Sequence, residues 1–137
     1  MLDLTTLDTS TAAEAGAIMT VQHPVTGAVL TQDDGSAMTI TFAGEDSERY
    51  RSATRAATNR RLKAQQSGRQ MQLSAEELEN DALERIVACT IGWNGIGVSG
   101  EALPFSPDNA RALFKKLAWL REQAEAFIGD RSRFLKA

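Results

Sequence analysis

The feature that most constrains this 137-residue chain is a change of hydrophobic period. Met38-Thr39-Ile40-Thr41-Phe42 alternates large apolar residues with threonine, the two-residue period of a half-buried strand. From Asp46 onward apolar residues recur every three or four positions, the period of helices. A short sheet is not stable alone in water, so its apolar face must lie on the helices that follow. The expected fold is therefore α+β: a small N-terminal antiparallel sheet of two to three strands packed on three to four α-helices.

The strands are expected within residues 17–43. Ala17–Val21 is β-prone and stops at His23-Pro24; Val25–Leu30 follows; Asp34-Gly35 supplies a turn before Met38–Phe42. Residues 1–16, with Leu2, Leu4 and Leu7 as their large apolar side chains, read as a flexible arm with a helical turn over Ala12–Gly16. Residues 17–129 form the single domain, and 130–137 a charged tail carrying Phe134 and Leu135.

Three helical regions are expected. The first begins near Asp46 or Ser47 and runs to about Gln66, with a thin stripe of Tyr50, Ala53, Ala57 and Leu62. Ser74 and Glu77 have capping-box spacing and open the second. Leu78, Ala82, Ile86 and Cys89 then recur on one face, widened by Leu83 and Val87, and Gly92 ends the helix. Residues 92–105, with glycine at 92, 95, 97 and 100, read as a loop. Ser106 caps the third region and Pro107 takes its first position. It runs to Ile128 with a seam of Leu113, Leu117, Leu120, Ala124 and Phe127, and Gly129 closes it.

The composition offers little to catalysis. One cysteine, Cys89, excludes an internal disulfide and a multi-cysteine zinc site. The lone His23 leaves a thiolate–imidazole pair with Cys89 as a remote reading, because Cys89 falls on the apolar stripe of a helix. The glycine-rich stretch lacks the Gly-Lys-Ser/Thr ending of a phosphate loop. Glu77 and Asp81 share a helix face but have no histidine beside them, so a solvated face is the better reading than a metal site. No enzyme, metal or cofactor is expected. No apolar run approaches the ~20 residues of a membrane helix, and Met1-Leu2-Asp3-Leu4 has no basic leader region; an intracellular protein without membrane attachment is expected.

Charge is segregated. Residues 49–69 hold seven cations (Arg49, Arg51, Arg55, Arg60, Arg61, Lys63 and Arg69) and no acid, whereas Glu76, Glu77, Glu79, Asp81 and Glu84 crowd into 76–84. Such halves suit two facing helices or two surfaces that meet other subunits, with Arg55, Arg60, Arg61, Glu77 and Asp81 as self-association candidates. A nucleic-acid-binding adaptor using the Arg-rich helix 49–69 is the alternative. Against it stand the overall charge of −3 and Tyr50 as the sole aromatic in the segment.

Several stretches together resemble the tail assembly chaperones of long-tailed bacteriophages. They are His23-Pro24-Val25-Thr26-Gly27, Ala43–Tyr50, Gly92-Trp93-Asn94-Gly95-Ile96, Gly100–Arg111, Trp119-Leu120-Arg121-Glu122-Gln123, Phe127-Ile128 and Arg131–Leu135. The resemblance covers about residues 16–135. Members often carry proline before the tryptophan; Ala118 stands here, which allows one longer helix. The resemblance implies a non-enzymatic protein of the host cytoplasm that coats the tape measure protein, leaves as tail-tube protein assembles, and is absent from the finished virion. A longer, frameshifted form is common in that group. Leu113, Leu120, Phe127 and Trp119 are the partner-binding candidates, Trp119 lying about 100° from Leu120 and so off the seam.

Overall fold

The computed structural model describes residues 1–68 and 74–135. The expected α+β architecture is present, built among the described residues from five α-helices, a three-stranded sheet and a two-stranded hairpin. The alternation at 38–42 becomes strand β2 (Thr39–Phe42), which buries Ile40 and Phe42 and turns Thr39 and Thr41 outward. It pairs antiparallel with β1 (Ala17–Thr20), with Ala17 opposite Phe42 and Met19 opposite Ile40. Residues between them fold back on themselves. Val25–Leu30 forms no strand of the sheet; single bridges join Gln22 to Val29 and Thr31 to Ala37, and Gly35 turns the chain at φ +87°.

The sheet's third strand comes from the region read as helix end and loop. The second long helix, α3 (Ala75–Cys89), stops three residues before Gly92, and Thr90–Asn94 becomes β3 on the other side of β2. Two bonds explain the early stop. The Thr90 hydroxyl donates to the Ile86 carbonyl at 2.7 Å, and the Ala43 amide donates to the Cys89 carbonyl at 2.7 Å. The helix's last carbonyls are thus satisfied while the chain is handed to β2. β-Branched Thr90 and Ile91 favour the extended state that follows. Trp93 then pairs with Ile40, and its indole N–H donates to the Leu103 carbonyl at 2.8 Å. The glycines beyond serve a hairpin, β4 (Gly97–Val98) with β5 (Glu101–Ala102). Its two-residue turn, Ser99-Gly100, has φ of 53° and 81°, the left-handed pair such turns require.

Serines cap the helices as expected. Ser47 accepts from the Tyr50 amide at the start of α2 (Glu48–Gln66), and Ser74 accepts from Glu77 in α3. Ser106 accepts from Asn109 in α4 (Pro107–Lys116), with Pro107 leading the helix. The single long helix to Ile128 does not form. Leu117 leaves helical geometry (φ −107°, ψ 89°), and a separate α5 runs Ala118–Ile128. No proline is needed. The Leu117 amide closes α4 on Leu113, and the Leu117 carbonyl accepts from Leu120 and Arg121 to open α5. The Arg121 guanidinium donates to the freed Phe114 carbonyl at 3.2 Å. The break thereby keeps partners for both backbone groups of Leu117 and for the Phe114 carbonyl.

The core lies between the inner sheet face and α3, α4 and α5. Phe42, fully buried, sits 6.1 Å from the Phe114 ring and 6.0 Å from that of Phe127. Its truncation to alanine would cost about 3–5 kcal/mol. Segments near both termini are tied to this body. The expected turn near residue 12 is α1 (Thr9–Ala15), capped by Asp8, with Ala13 buried over Gly44. At the other end Arg131 grips the Asp46 carboxylate at 2.6 and 2.9 Å, and the Phe134 ring meets Phe127 at 5.5 Å.

Candidate functional site

The far half of the α2–α3 hairpin is open to solvent. Residues 74–80 of α3 are all exposed, and burial begins at Asp81. α2 faces α3 with Tyr50, Ala53, Ala57, Arg61 and Ala64, and only Ala57 is fully covered. Leu62, expected on this stripe, is instead 50% exposed, and Leu78 on α3 is 51% exposed. The cause is the helical period: the stripe continues from Ala57 at +4 and +3, which selects Arg61 and Ala64 and rotates Leu62 away. Between the two helices lies a cleft of about 550 Å³, floored by Ala57 and Ala64 and walled by Arg60, Arg61, Glu76, Glu77, Asn80 and Asp81. Arg69 belongs to the connection that lies outside the described residues.

Asp81 closes the base of the cleft. It is nearly buried and accepts from two guanidinium groups, Arg61 and Arg60, the latter at 3.2 Å. The basic and acidic segments therefore meet within one chain, at least at these three of the five self-association candidates. Arg55 pairs with Glu48 on its own helix, and Glu77 lines the cleft. Of the other acids on α3, Glu84 also turns inward, taking a two-pronged grip from Arg111 of α4 at 2.8 and 3.1 Å, while Glu76, Glu77 and Glu79 stay exposed. That guanidinium holds the Glu84 carboxyl below its ordinary range, against the opposing effect of burial.

The partner-binding candidates on the C-terminal helices fall differently. Leu113, Leu120 and Phe127 are buried members of the core, because α4 and α5 each turn their apolar side to the sheet and α3. Trp119 is half-buried at the core's margin and keeps an exposed part. Spacing alone finds an apolar seam; it does not say whether the seam meets the chain's own core or another chain.

Cys89 is fully buried, and burial pushes its thiol up to about 11. His23 uses Nδ1 to accept from the amides of Val25 and Thr26. Neither residue is arranged as a nucleophile and base. Among the described residues no group of three or more His, Cys, Asp or Glu side chains is placed to hold a metal, and no helix is long and apolar enough to cross a membrane.

Neither the curated proteins nor the solved structures give a match to this chain. A family model described as YdaY prophage protein matches residues 45–128, from the approach to α2 through the whole of α5, and so includes the hairpin, its cleft and β3. Since the match takes in more than half of the 137 residues, the chain belongs to the YdaY prophage protein family and is phage-derived.

Proposed function

We propose that this protein is a phage tail assembly chaperone: in the host cytoplasm it binds the tape measure protein, keeps it soluble, and yields it to tail-tube protein. It is not an enzyme in this reading. Prophage family membership and the resemblance across residues 16–135 support it. The observation that carries it is the cleft of the α2–α3 hairpin. A small-residue floor of Ala57 and Ala64 lets a helix approach closely, and both signs of charge stand on the walls; outside the cleft lining, exposed Leu62 and Leu78 add apolar contact on the same two helices. This suits the amphipathic helix of a tape measure, which would aggregate if left bare. The arginines of α2 favour this over a nucleic-acid adaptor, since Arg55, Arg60 and Arg61 are all engaged by carboxylates of the same chain.

The test is co-expression with the tape measure protein of the same prophage, scoring soluble client. Leu62→Glu with Leu78→Glu changes exposed positions only, so the thermal midpoint should stay within a few degrees while soluble client is lost. Trp119→Ala is the comparison. If it holds its midpoint and loses the client, Trp119 joins the site; if it unfolds or binds normally, Trp119 serves the core. A client that stays insoluble with the parent chain, or that the double variant rescues equally well, removes the proposal.

A further inference from the structure

Among the described residues no strand covers the outer edge of β1. β1 pairs with β2 on one side only. The ladder continues past the strand, where the Val21 amide donates to the Met38 carbonyl at 2.9 Å. In an antiparallel pair the bonding residues alternate, so Ala17, Met19 and Val21 face β2. The amides and carbonyls of Ile18, Thr20 and Gln22 therefore point away from the sheet. Gln22 is provided for: its amide donates to Oε1 of Gln123 at 3.1 Å, and its carbonyl accepts from Nε2 at 2.8 Å. For Ile18 and Thr20 no backbone partner is found among the described residues beyond that edge.

Natural edges are guarded by shortness, a covering element, charge, proline or a bulge. Ala17-Ile18-Met19-Thr20 is short but carries no charge, proline or bulge, and Ile18 is 66% exposed. Beside the edge runs a groove of about 270 Å³, bordered by Ile18, Thr20, Phe127, Asp130 and Arg133.

We infer that β1 is an interface between two copies of this chain, which join their sheets through antiparallel β1–β1 pairing centred on Met19. The register follows from the geometry. With Met19 on the two-fold axis, Ile18 of each copy faces Thr20 of the other. Both residues carry the outward-pointing groups, so each amide meets a carbonyl and the pairing is reciprocal. A register moved by one residue would set these groups against ones already bonded to β2. The facing side chains are Ile and Thr, a favourable uncharged cross-strand pair. At the groove's margin Asp130 and Arg133 already pair within each chain at 3.5 Å, so the approach of a second copy brings no unpaired charge from these two residues to the axis. Gln123 ends the pairing by occupying Gln22, which keeps the edge short and stops it recruiting a longer strand.

The experiment is sedimentation equilibrium of the full chain from low to several hundred micromolar, at low and high salt, with amide exchange read in parallel. A reversible dimer is expected, largely indifferent to salt, with Ile18 and Thr20 amides gaining protection as concentration rises. Ile18→Pro removes an amide that β2 does not use, so the monomer should keep its fold. The dimer should weaken at least roughly ten-fold, about 1.4 kcal/mol. Thr20→Lys, which places like charges near the axis, should weaken it too. A parent that remains monomeric throughout overturns the inference. So does a dimer that both variants leave intact. Protection of Ile18 and Thr20 only on adding a foreign extended peptide assigns the edge to another protein and likewise overturns it. None of these outcomes depends on whether the tape measure protein is a client.

Discussion

The side chain of Gln123 reads the backbone of Gln22 as a neighbouring strand would, giving one acceptor and one donor across 101 positions of sequence. It fastens α5 to the end of β1. Gln123→Ala should cost about 0.5–1.5 kcal/mol, since water replaces part of what is lost at this exposed site. Gln123→Glu removes the donor but keeps the acceptor, and should fall between the two. Denaturant midpoints, with faster amide exchange at Gln22, check this.

Cys89 should behave as a buried apolar residue. Its thiol is pushed from 9.0 to about 11, chiefly by burial. A raised value means that the folded state resists losing the proton. The resulting stability is intact below pH 9 and declines as pH climbs towards about 11. Native protein should therefore react with a thiol reagent at neutral pH only as fast as it unfolds, and fully once denatured. Rapid labelling of the native chain would contradict this.

Acid should loosen the helices from one another. Arg111 lowers the pKa of Glu84, and Arg131 lowers that of Asp46, both mainly through hydrogen bonds. Depressed carboxyl values contribute stability above the unfolded values, 4.5 and 3.8, and lose it as pH falls through the folded ones. The thermal midpoint should drop below pH 4.5 in the parent and drop less steeply in Glu84→Gln. An identical slope in both would show that this pair is not responsible.

Asp81→Asn should leave two arginines facing a neutral amide. Because Arg60 is largely exposed, the cost should stay modest, about 1–2 kcal/mol. Much of it should appear as faster amide exchange in residues 57–66 and 75–80, with β2 unaffected. Uniform loss of protection across the sheet would mean that the hairpin is not a separate unit of opening.

Gly44 lies against both α1 and Phe134, where the segments near the two termini meet the core. A Cβ there would lie 3.0 Å from Ala13 and 3.2 Å from the Phe134 ring. Gly44→Val should push α1 and Phe134 off the core, and protease should then clip near both termini. Resistance equal to the parent would refute this.

Local chemistry made much of the fold legible. Ser47, Ser74 and Ser106 announce their helices because a cap is a short-range bond, and the alternation at 38–42 announces β2 because its inner face is buried. What escaped was tertiary in origin. Nothing near Thr90 says that Ala43 will take the Cys89 carbonyl, nor does anything near Ala118 say that Arg121 will satisfy Phe114. The site shows the same division. Charge segregation pointed to the α2–α3 pair, while the apolar seam at Leu113, Leu120 and Phe127 is core. Periodicity tells how a helix is sided, and only the assembled chain tells what each side meets.

The position of β2 between a strand that precedes it and one that lies nearly fifty residues later sets an order of events during synthesis. While the ribosome is still reading through α2 and α3, Ile40 and Phe42 have no third strand beside them and no Phe114 or Phe127 beneath. The stretch shared with the prophage family, 45–128, begins just after them. Cut free as a fragment, it would hold β3 with no neighbour to pair with and a core missing its central aromatic ring. The matched segment thus lacks the strand and the ring that complete its sheet and core, and the forty-odd residues in front of it supply both.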